Sequence, residues 1–212
     1  MELIYRGAEA DVFKGGWCDR PAVYKVRKPL TYRLPELDGL IRSQRTSHEA
    51  QIIHQSRGAG VPAPWLYYVS PEEALLVMEF VEGERLKTVL MDPAMTGRRA
   101  RELGAEFGRD IARLHAAGIM HGDLTTSNVI VGGGRLTLID FGLAIRSQRL
   151  EDQAVDLRLI KETVTGAHNG VSKPFMRSLL AGYSEVLGGT RTAAAARKLA
   201  EIERRGRYAR VE

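Results

Sequence analysis

Residues 121–128 read His-Gly-Asp-Leu-Thr-Thr-Ser-Asn, and residues 140–142 read Asp-Phe-Gly. Asp123 and Asn128 are five positions apart, and Asn128 and Asp140 are twelve apart. Phosphoryl transfer needs oxygen ligands that hold a metal ion against the phosphates, and an acid that orients the attacking hydroxyl or water. The spacing therefore predicts Asn128 and Asp140 as metal ligands and Asp123 as the catalytic base.

A second group of candidate residues lies upstream. Lys25 ends the apolar stretch Ala22-Val23-Tyr24, which is typical of a buried strand, and Glu49 falls on a predicted helix. A buried lysine is costly unless a carboxylate pairs with it. We therefore predict that Lys25 and Glu49 form a catalytic ion pair that aims the ammonium group at phosphate oxygens.

The first eighty residues alternate short apolar stretches with glycine and proline. This pattern predicts strands over residues 3–5, 22–26, 65–69 and 75–80, with one helix over 44–57. The predicted fold class is therefore α+β, with a small β-rich lobe over residues 1–82.

The chain after Gly83 has a helical character. Apolar residues recur at Leu103, Phe107, Ile111 and Leu114, with the period of an amphipathic helix that ends at Gly118. Three consecutive glycines predict a hairpin, and the remaining apolar segments predict helices. The hairpin strands are residues 128–131 and 135–139, and the helices are 157–163, 175–187 and 193–204. Residues 83–203 are thus a helical lobe, followed by a basic tail over 204–212.

Composition narrows the classes of protein. The 212 residues are 44% hydrophobic and 27% charged, which excludes disordered and fibrous chains. No apolar run approaches the roughly 18 residues of a membrane span, and charges interrupt the N-terminus where an export signal would need an apolar core. Cys18 is the single cysteine, so no intramolecular disulfide forms. We expect no membrane contact and a cytoplasmic location.

The formal charge of +5 is concentrated in two segments. Residues 191–212 carry seven basic and three acidic residues, and residues 27–45 carry five basic and two acidic residues. Clustered arginines can neutralise phosphates and bind nucleic acid, although a solvated helix face would have the same composition.

These motifs together, in this order, resemble the protein-kinase signature set. The resemblance implies ATP and Mg²⁺ as cofactors. It makes Met78 the gatekeeper, lets the backbone of Glu79 and Val81 hydrogen-bond adenine, and leaves Gly7 as the one glycine of the phosphate loop. It also places three apolar side chains against the base, namely Val12, Val23 and Ile130.

Several departures from that set bear on the activity. Gly122 replaces the arginine that usually precedes the catalytic aspartate, so no cationic pocket awaits an activation-loop phosphate. Thr125 stands where Ser/Thr kinases place a lysine, and no Ala-Pro-Glu motif follows Gly142. A platform for peptide substrates is therefore expected to be missing. Asp156 is expected to anchor the backbone of the catalytic loop from the next helix.

The segment before the first helix narrows the family further. The segments 27–29 and 32–38, the loop 7–10, the HGDLTTSN stretch and the basic tail resemble the small atypical kinase of the KEOPS (EKC) complex, of the Bud type. The resemblance implies an ATP- and Mg-dependent Ser/Thr kinase that acts mainly as an ATPase and supports threonylcarbamoyladenosine modification of tRNA next to the anticodon. It also implies as partners a threonylcarbamoyl-transferase subunit, a small regulatory subunit and, through the tail, tRNA.

Two alternatives belong to other functional classes. HGD loops without the arginine also resemble those of aminoglycoside and sugar kinases, which phosphorylate small molecules. The chain could instead be a non-catalytic scaffold that binds tRNA, although intact Lys25, Glu49, Asp123, Asn128 and Asp140 argue against that.

Overall fold

The structure is a computed structural model that describes residues 1–167 and 170–208. The chain divides into two compact units. The first comprises residues 1–57 and 63–81, and the second comprises residues 58–62 together with the chain from residue 82 onward. The sequence predicted one boundary between two lobes, after residue 82. In the structure the segment 58–62, which falls within the predicted first lobe, belongs to the second unit.

The first unit is built on an antiparallel sheet of five strands in the order β1-β2-β3-β5-β4. Its strands are β1 (Glu2–Arg6), β2 (Ala10–Trp17), β3 (Arg20–Arg27), β4 (Leu66–Ser70) and β5 (Leu75–Glu79). In β3 the side chains of Val23, Lys25 and Arg27 alternate onto one face, as the two-residue period of a strand requires.

A single long helix, α1 (Pro35–Gly58), packs on that face. Ala50 of α1 joins Leu76 and Met78 of β5 in a buried cluster, against which Val23 packs. This packing brings the buried polar residues of α1 next to the alternating side chains of β3.

Within the described residues, the second unit combines five α-helices and one 3₁₀ turn with short strands. Its helices are α2 (Leu86–Met91), α3 (Gly97–Ala116), α4 (Leu150–Ala167), α5 (Ser172–Leu187) and α6 (Gly189–Tyr208), together with one 3₁₀ turn (Thr126–Asn128). Its strands are β6 (Glu84–Arg85), β7 (Ile119–Met120), β8 (Val129–Gly132), β9 (Arg135–Leu138) and β10 (Ile145–Arg146). β8 pairs with β6 and β9, and β10 pairs with β7.

The predicted hairpin and the predicted helix ending at Gly118 are confirmed. Gly133 and Gly134 both have positive φ, which a two-residue hairpin turn requires. Gly118 has φ 72° directly after the end of α3.

The prediction was wrong at the start of the first helix and at the second strand. The helix begins at Pro35 rather than residue 44, because proline suits the first helical position and Glu36 and Asp38 suit the positive end of the helix dipole. The strand β2 was missed because Gly15 and Gly16 interrupt its apolar pattern.

Of the predicted basic tail 204–212, residues 204–208 continue helix α6, and residues 209–212 lie outside the described residues. Within the described residues, no helix combines the length and the apolar character needed to cross a bilayer.

Candidate active site

The segment 121–128 is a loop that links β7 to β8 in the second unit, and its start is held by one buried carboxylate. Asp156 on α4 accepts the N–H of His121 at 2.6 Å and the N–H of Gly122 at 2.9 Å. Asp156 is 1% exposed, so these charge-assisted bonds are shielded from water. The expectation that Asp156 anchors the loop backbone is confirmed.

Asp123 and Asn128 meet within this loop. The amide nitrogen of Asn128 donates to the carboxylate oxygen Oδ2 of Asp123 at 2.8 Å and to the carbonyl of Asp123 at 2.9 Å. The amide oxygen of Asn128 is therefore turned away from Asp123, where it can serve as a ligand for a hard cation. The five-residue spacing thus closes the loop on itself and fixes the orientation of both side chains.

Gly122 permits a close approach of two chain segments. Its φ is 79°, and a Cβ atom built there would lie 2.2 Å from the carbonyl oxygen of Leu143. An arginine or any other side chain at this position would collide with the backbone that follows the Asp-Phe-Gly motif. The replacement of the usual kinase arginine by Gly122 therefore has a steric reason.

The ring of His121 connects the catalytic loop to the residues around Asp140. It accepts the N–H of Asp123 at Nδ1, at 3.3 Å, and donates from Nε2 to the carbonyl of Ile139 at 3.2 Å. Burial lowers the pKa of His121, so the ring is neutral and can play both roles. Its centroid lies 4.9 Å from that of Phe141.

Asp140 lies between β9 and the turn at residues 142–143, and its side chain is exposed. Its φ is 62°, a left-handed conformation that aspartate adopts more readily than most residues. The N–H of Gly142 lies 3.4 Å from its Oδ1. Backbone strain of this kind is common at functional sites, where a side chain must be held in one orientation.

The pair Lys25 and Glu49 lies in the first unit. Nζ of Lys25 lies 2.7 Å from Oε1 of Glu49, which is 1% exposed. The other carboxylate oxygen, Oε2, lies 2.5 Å from Nη2 of Arg27. Two cations thus share one buried carboxylate, and Glu49 is fixed by both.

Arg27 is the residue of this group that sequence reasoning missed. Its position two residues after Lys25 on a strand was the signal, because alternation places both side chains on the face that α1 covers.

Kinases carry a glycine-rich sequence in the loop between β1 and β2. Here that loop is held by a hydrogen bond and ion pairs with charged side chains of the first unit. Lys28 donates to the carbonyl of Gly7 at 2.6 Å and lies 3.2 Å from Asp11, while Arg45 of α1 pairs with Glu9. A Cβ at Gly7 would lie 2.8 Å from the carbonyl oxygen of Ala10, so the tight turn requires glycine.

The predicted adenine contacts lie in both units. Met78 is 8% exposed and belongs to the buried cluster that Val23 contacts, and the N–H of Glu79 donates to the carbonyl of Trp65 at 2.8 Å. Val12 pairs with Lys25 across β2 and β3, and Val81 ends the first unit.

The remaining predicted contact, Ile130, is 9% exposed on β8 of the second unit. As nucleotide contacts, all of these residues stay predictions.

The segment after Asp-Phe-Gly is short. Residues 143–149 alone separate Gly142 from α4, and Ile145–Arg146 within them pair with β7. The chain therefore has no extended segment here on which a peptide substrate could lie.

The donor set suits magnesium, which prefers hard oxygen ligands and is held in phosphoryl-transfer enzymes by few protein groups together with phosphate oxygens. Asn128 and Asp140 supply an amide oxygen and a carboxylate. No group of three or more His, Cys, Asp or Glu side chains that could hold a metal occurs within residues 1–167 and 170–208.

Comparison with known proteins defines the class. A model of the protein kinase domain matches residues 7–168. Two crystal structures of the Rio2 kinase from Chaetomium thermophilum superpose with TM-scores of 0.63 and 0.66, cover 95% and 98% of this chain and 72% and 73% of the Rio2 chain, and share 16% identity with it. The fold and the catalytic loop are those of a protein kinase, a class of ATP-dependent phosphotransferases, which confirms the predicted fold.

Closer relatives identify the branch. The "KEOPS complex subunit Bud32" of Pyrococcus abyssi is 40% identical over 98% of this chain and 96% of its own length. The "Probable serine/threonine-protein kinase BUD32 homolog" of Archaeoglobus fulgidus is 36% identical over 97% and 95%. The chain belongs to the Bud32 family of protein kinases, as its resemblance implied.

One group of relatives is longer. The "Probable bifunctional tRNA threonylcarbamoyladenosine biosynthesis protein" of Methanothermobacter thermautotrophicus is 40% identical over 98% of this chain, but the match spans only 36% of that protein. The chain therefore corresponds to about a third of these bifunctional relatives.

Proposed function

We propose that the chain is an ATP- and Mg-dependent atypical kinase that acts mainly as an ATPase and supports threonylcarbamoyladenosine modification of tRNA. The observation that carries the proposal is the catalytic loop, in which Asn128 holds the carboxylate of Asp123 at 2.8 Å while Asp156 holds the loop backbone. This arrangement fixes a base and a metal ligand together, which phosphoryl transfer requires.

The roles of the residues follow from their chemistry. Asp123 orients the attacking water or hydroxyl and accepts its proton, and Asn128 and Asp140 hold Mg²⁺. When bound, the ion neutralises charge on the phosphate oxygens. Lys25, oriented by Glu49, binds phosphate oxygens.

The residues predicted to contact adenine complete the nucleotide site in this proposal. They are Val12, Val23, Met78, Glu79, Val81 and Ile130, with Gly7 in the phosphate loop.

Two features favour ATP hydrolysis over phosphorylation of proteins. Thr125 replaces the lysine that Ser/Thr kinases use to hold the transferred phosphoryl group, and residues 143–149 are too short to form a peptide platform. Water is then the most accessible acceptor of the phosphoryl group.

The names of the relatives support the proposed setting. Those names place one relative in the KEOPS complex and others in tRNA threonylcarbamoyladenosine biosynthesis. The fused relatives carry a match to this chain in the same polypeptide as a second, longer part, which supports a transferase subunit as the partner here. A small regulatory subunit, tRNA contact through the basic C-terminal segment and a cytoplasmic location belong to the same proposal.

The proposal is tested by ATP hydrolysis with and without the transferase subunit and tRNA. We expect turnover that these partners stimulate and that Asp140→Asn lowers about a hundredfold, the scale of losing one preorganised electrostatic group. Asp19→Asn is the matched control, because Asp19 is also an exposed aspartate with positive φ, 61°. Equal turnover in Asp140→Asn and wild type would refute the proposal, as would turnover stimulated by sugars or aminoglycosides and indifferent to tRNA and the transferase.

A further inference from the structure

A buried chain of polar groups extends behind the catalytic loop. The hydroxyl of Tyr183 on α5 lies 2.8 Å from Nδ1 of His115, and Nε2 of His115 lies 3.3 Å from Oδ2 of Asp156. All three side chains are at most 1% exposed. The same oxygen of Asp156 accepts the N–H of His121, so this series of hydrogen bonds connects Tyr183 to the backbone of the catalytic loop.

The donors and acceptors along this chain can be assigned from chemistry. The carboxylate of Asp156 can only accept, so Nε2 of His115 carries the proton between them. In the imidazole form of the ring Nδ1 is an acceptor, and the hydroxyl of Tyr183 is in place to donate to it. Burial raises the pKa of Tyr183 above its ordinary value, so the phenol keeps its proton.

Close packing of α3 and α5 sets the position of Tyr183. Cβ atoms built at Gly104 and Gly108 of α3 would lie 2.4 and 2.0 Å from the carbonyl oxygens of Phe175 and Leu179. A Cβ at Gly182 of α5 would lie 2.1 Å from the carbonyl oxygen of Ala105. The helix backbones are thus nearly in contact, which leaves the hydroxyl of Tyr183 little freedom to leave His115.

We propose that Tyr183 is a positioning residue for the catalytic loop: its hydroxyl holds the ring of His115 at Nδ1, and His115 in turn orients the carboxylate that accepts the backbone N–H groups of His121 and Gly122. This inference rests on the proposed ATP turnover. Without the donor from Tyr183, Nδ1 of His115 is left unsatisfied in the core, and the ring keeps only its hydrogen bond to Asp156, so its orientation is less fixed. The loop backbone then loses its fixed register, and Asp123 moves with it.

The test is Tyr183→Phe, which removes one oxygen atom and keeps the ring. We expect kcat for ATP hydrolysis to fall about tenfold, with KM for ATP unchanged. A loss of this size is typical of groups that orient a functional residue without contacting the substrate. Phe175→Leu is the matched control, since Phe175 is a fully buried aromatic residue of the same helix. It should lower the melting temperature but leave kcat at the wild-type value.

Nuclear magnetic resonance of ¹⁵N-labelled histidine supplies a second readout that needs no turnover. We expect Nε2 of His115 to stay protonated in both proteins, and the Nδ1 resonance to move downfield in Tyr183→Phe, because Nδ1 loses the hydrogen bond that it accepts. Unchanged kcat in Tyr183→Phe, or an equal loss of kcat in Phe175→Leu, would overturn the inference. If the wild type hydrolyses no ATP, the proposed function fails, and the Nδ1 resonance decides alone: a resonance that Tyr183→Phe leaves unchanged overturns the positioning role, and one that moves downfield supports it.

Discussion

At the scale of single residues, two buried aspartates of the second unit differ in how their oxygens are satisfied. Both oxygens of Asp156 accept backbone N–H groups. Asp110 on α3 is 2% exposed; its Oδ1 accepts from Arg113 at 2.7 Å, and its Oδ2 has no hydrogen-bond partner among the described residues. Burial raises the pKa of Asp110 to about 7, although Arg113 opposes the shift. Asp110 is thus a source of pH-dependent instability.

The sign of that dependence follows from linkage. An unfolded aspartate titrates near pH 3.9, so between that value and about 7 the folded protein holds a proton that the unfolded chain has released. Stability contributed by this group is present at low pH and is lost as the pH rises through this window. We predict that the wild type loses about 1–3 kcal/mol more stability than Asp110→Asn between pH 5 and pH 8.

Urea unfolding at the two pH values measures this difference. Glu185→Gln, a change at an exposed carboxylate of the same unit, should run parallel to the wild type. If the stability of Asp110→Asn changes with pH as that of the wild type does, Asp110 ionises at its ordinary pKa, which contradicts the prediction.

The sequence predicted pairings of residues but not the contacts that distant segments impose. The pairing of Lys25 with Glu49 followed from the cost of burying a lysine, whereas the spacing of Asp123 and Asn128 suggested their roles but not the hydrogen bond between them. The need for glycine at position 122 did not follow from the sequence, because the atom it avoids belongs to Leu143, which only folding brings near. The hydrogen bond of Tyr183 to His115 joins residues 68 positions apart, so it could not be predicted from the sequence for the same reason.

At the scale of elements, the backbones of α3 and α5 approach each other closely. Gly104, Gly108 and Gly182 let backbone carbonyls approach where side chains would otherwise lie. Interiors packed at this density cannot absorb an added methyl group without shifting the helices.

We predict that Gly108→Ala destabilises the second unit by about 3 kcal/mol, because the new Cβ would lie 2.0 Å from the carbonyl oxygen of Leu179. Gly166→Ala in α4 is the control, since nothing lies within 4 Å of a Cβ there. It should stabilise by about 0.5–1 kcal/mol through helix propensity. Denaturant unfolding of both variants checks the pair, and equal effects would show that the helices do not meet as described.

Elements with strong periodicity could be predicted, and those defined by context could not. The apolar spacing from Leu103 to Leu114 identified α3, and consecutive glycines identified the hairpin. The strand β2 carries Asp11, Lys14 and two glycines, so only its pairing with β1 and β3 makes it a strand. The early start of α1 depends on its first two turns, whose apolar residues Leu37 and Leu40 are exposed and add no buried face.

At the scale of the whole molecule, the basic residues are placed unevenly. Residues 204–212 carry four arginines and one glutamate. Arg204 and Arg205 are exposed on α6, and Arg205 lies 3.7 Å from Glu151. An exposed pair at that distance is weak, so phosphate groups can compete for the arginine.

We predict that truncation after Glu203 weakens tRNA binding and makes the slope of log affinity against log salt shallower by up to about three, because fewer counterions are released. A full-length variant with Arg204, Arg205, Arg207 and Arg210 changed to glutamine should behave alike, which separates charge from loss of the helix end. Filter binding over a salt series measures both, and an unchanged slope would contradict a role for this segment in tRNA binding.

The central proposal is that the chain binds a magnesium nucleotide and that Asp140 and Asn128 hold the ion. Calorimetric titration with ATP tests it most directly. We predict binding that requires Mg²⁺, is abolished by EDTA, falls at least tenfold in Asp140→Asn and is retained in Asp19→Asn. Binding of equal strength in EDTA, or equal affinity in Asp140→Asn and the wild type, would contradict the claim.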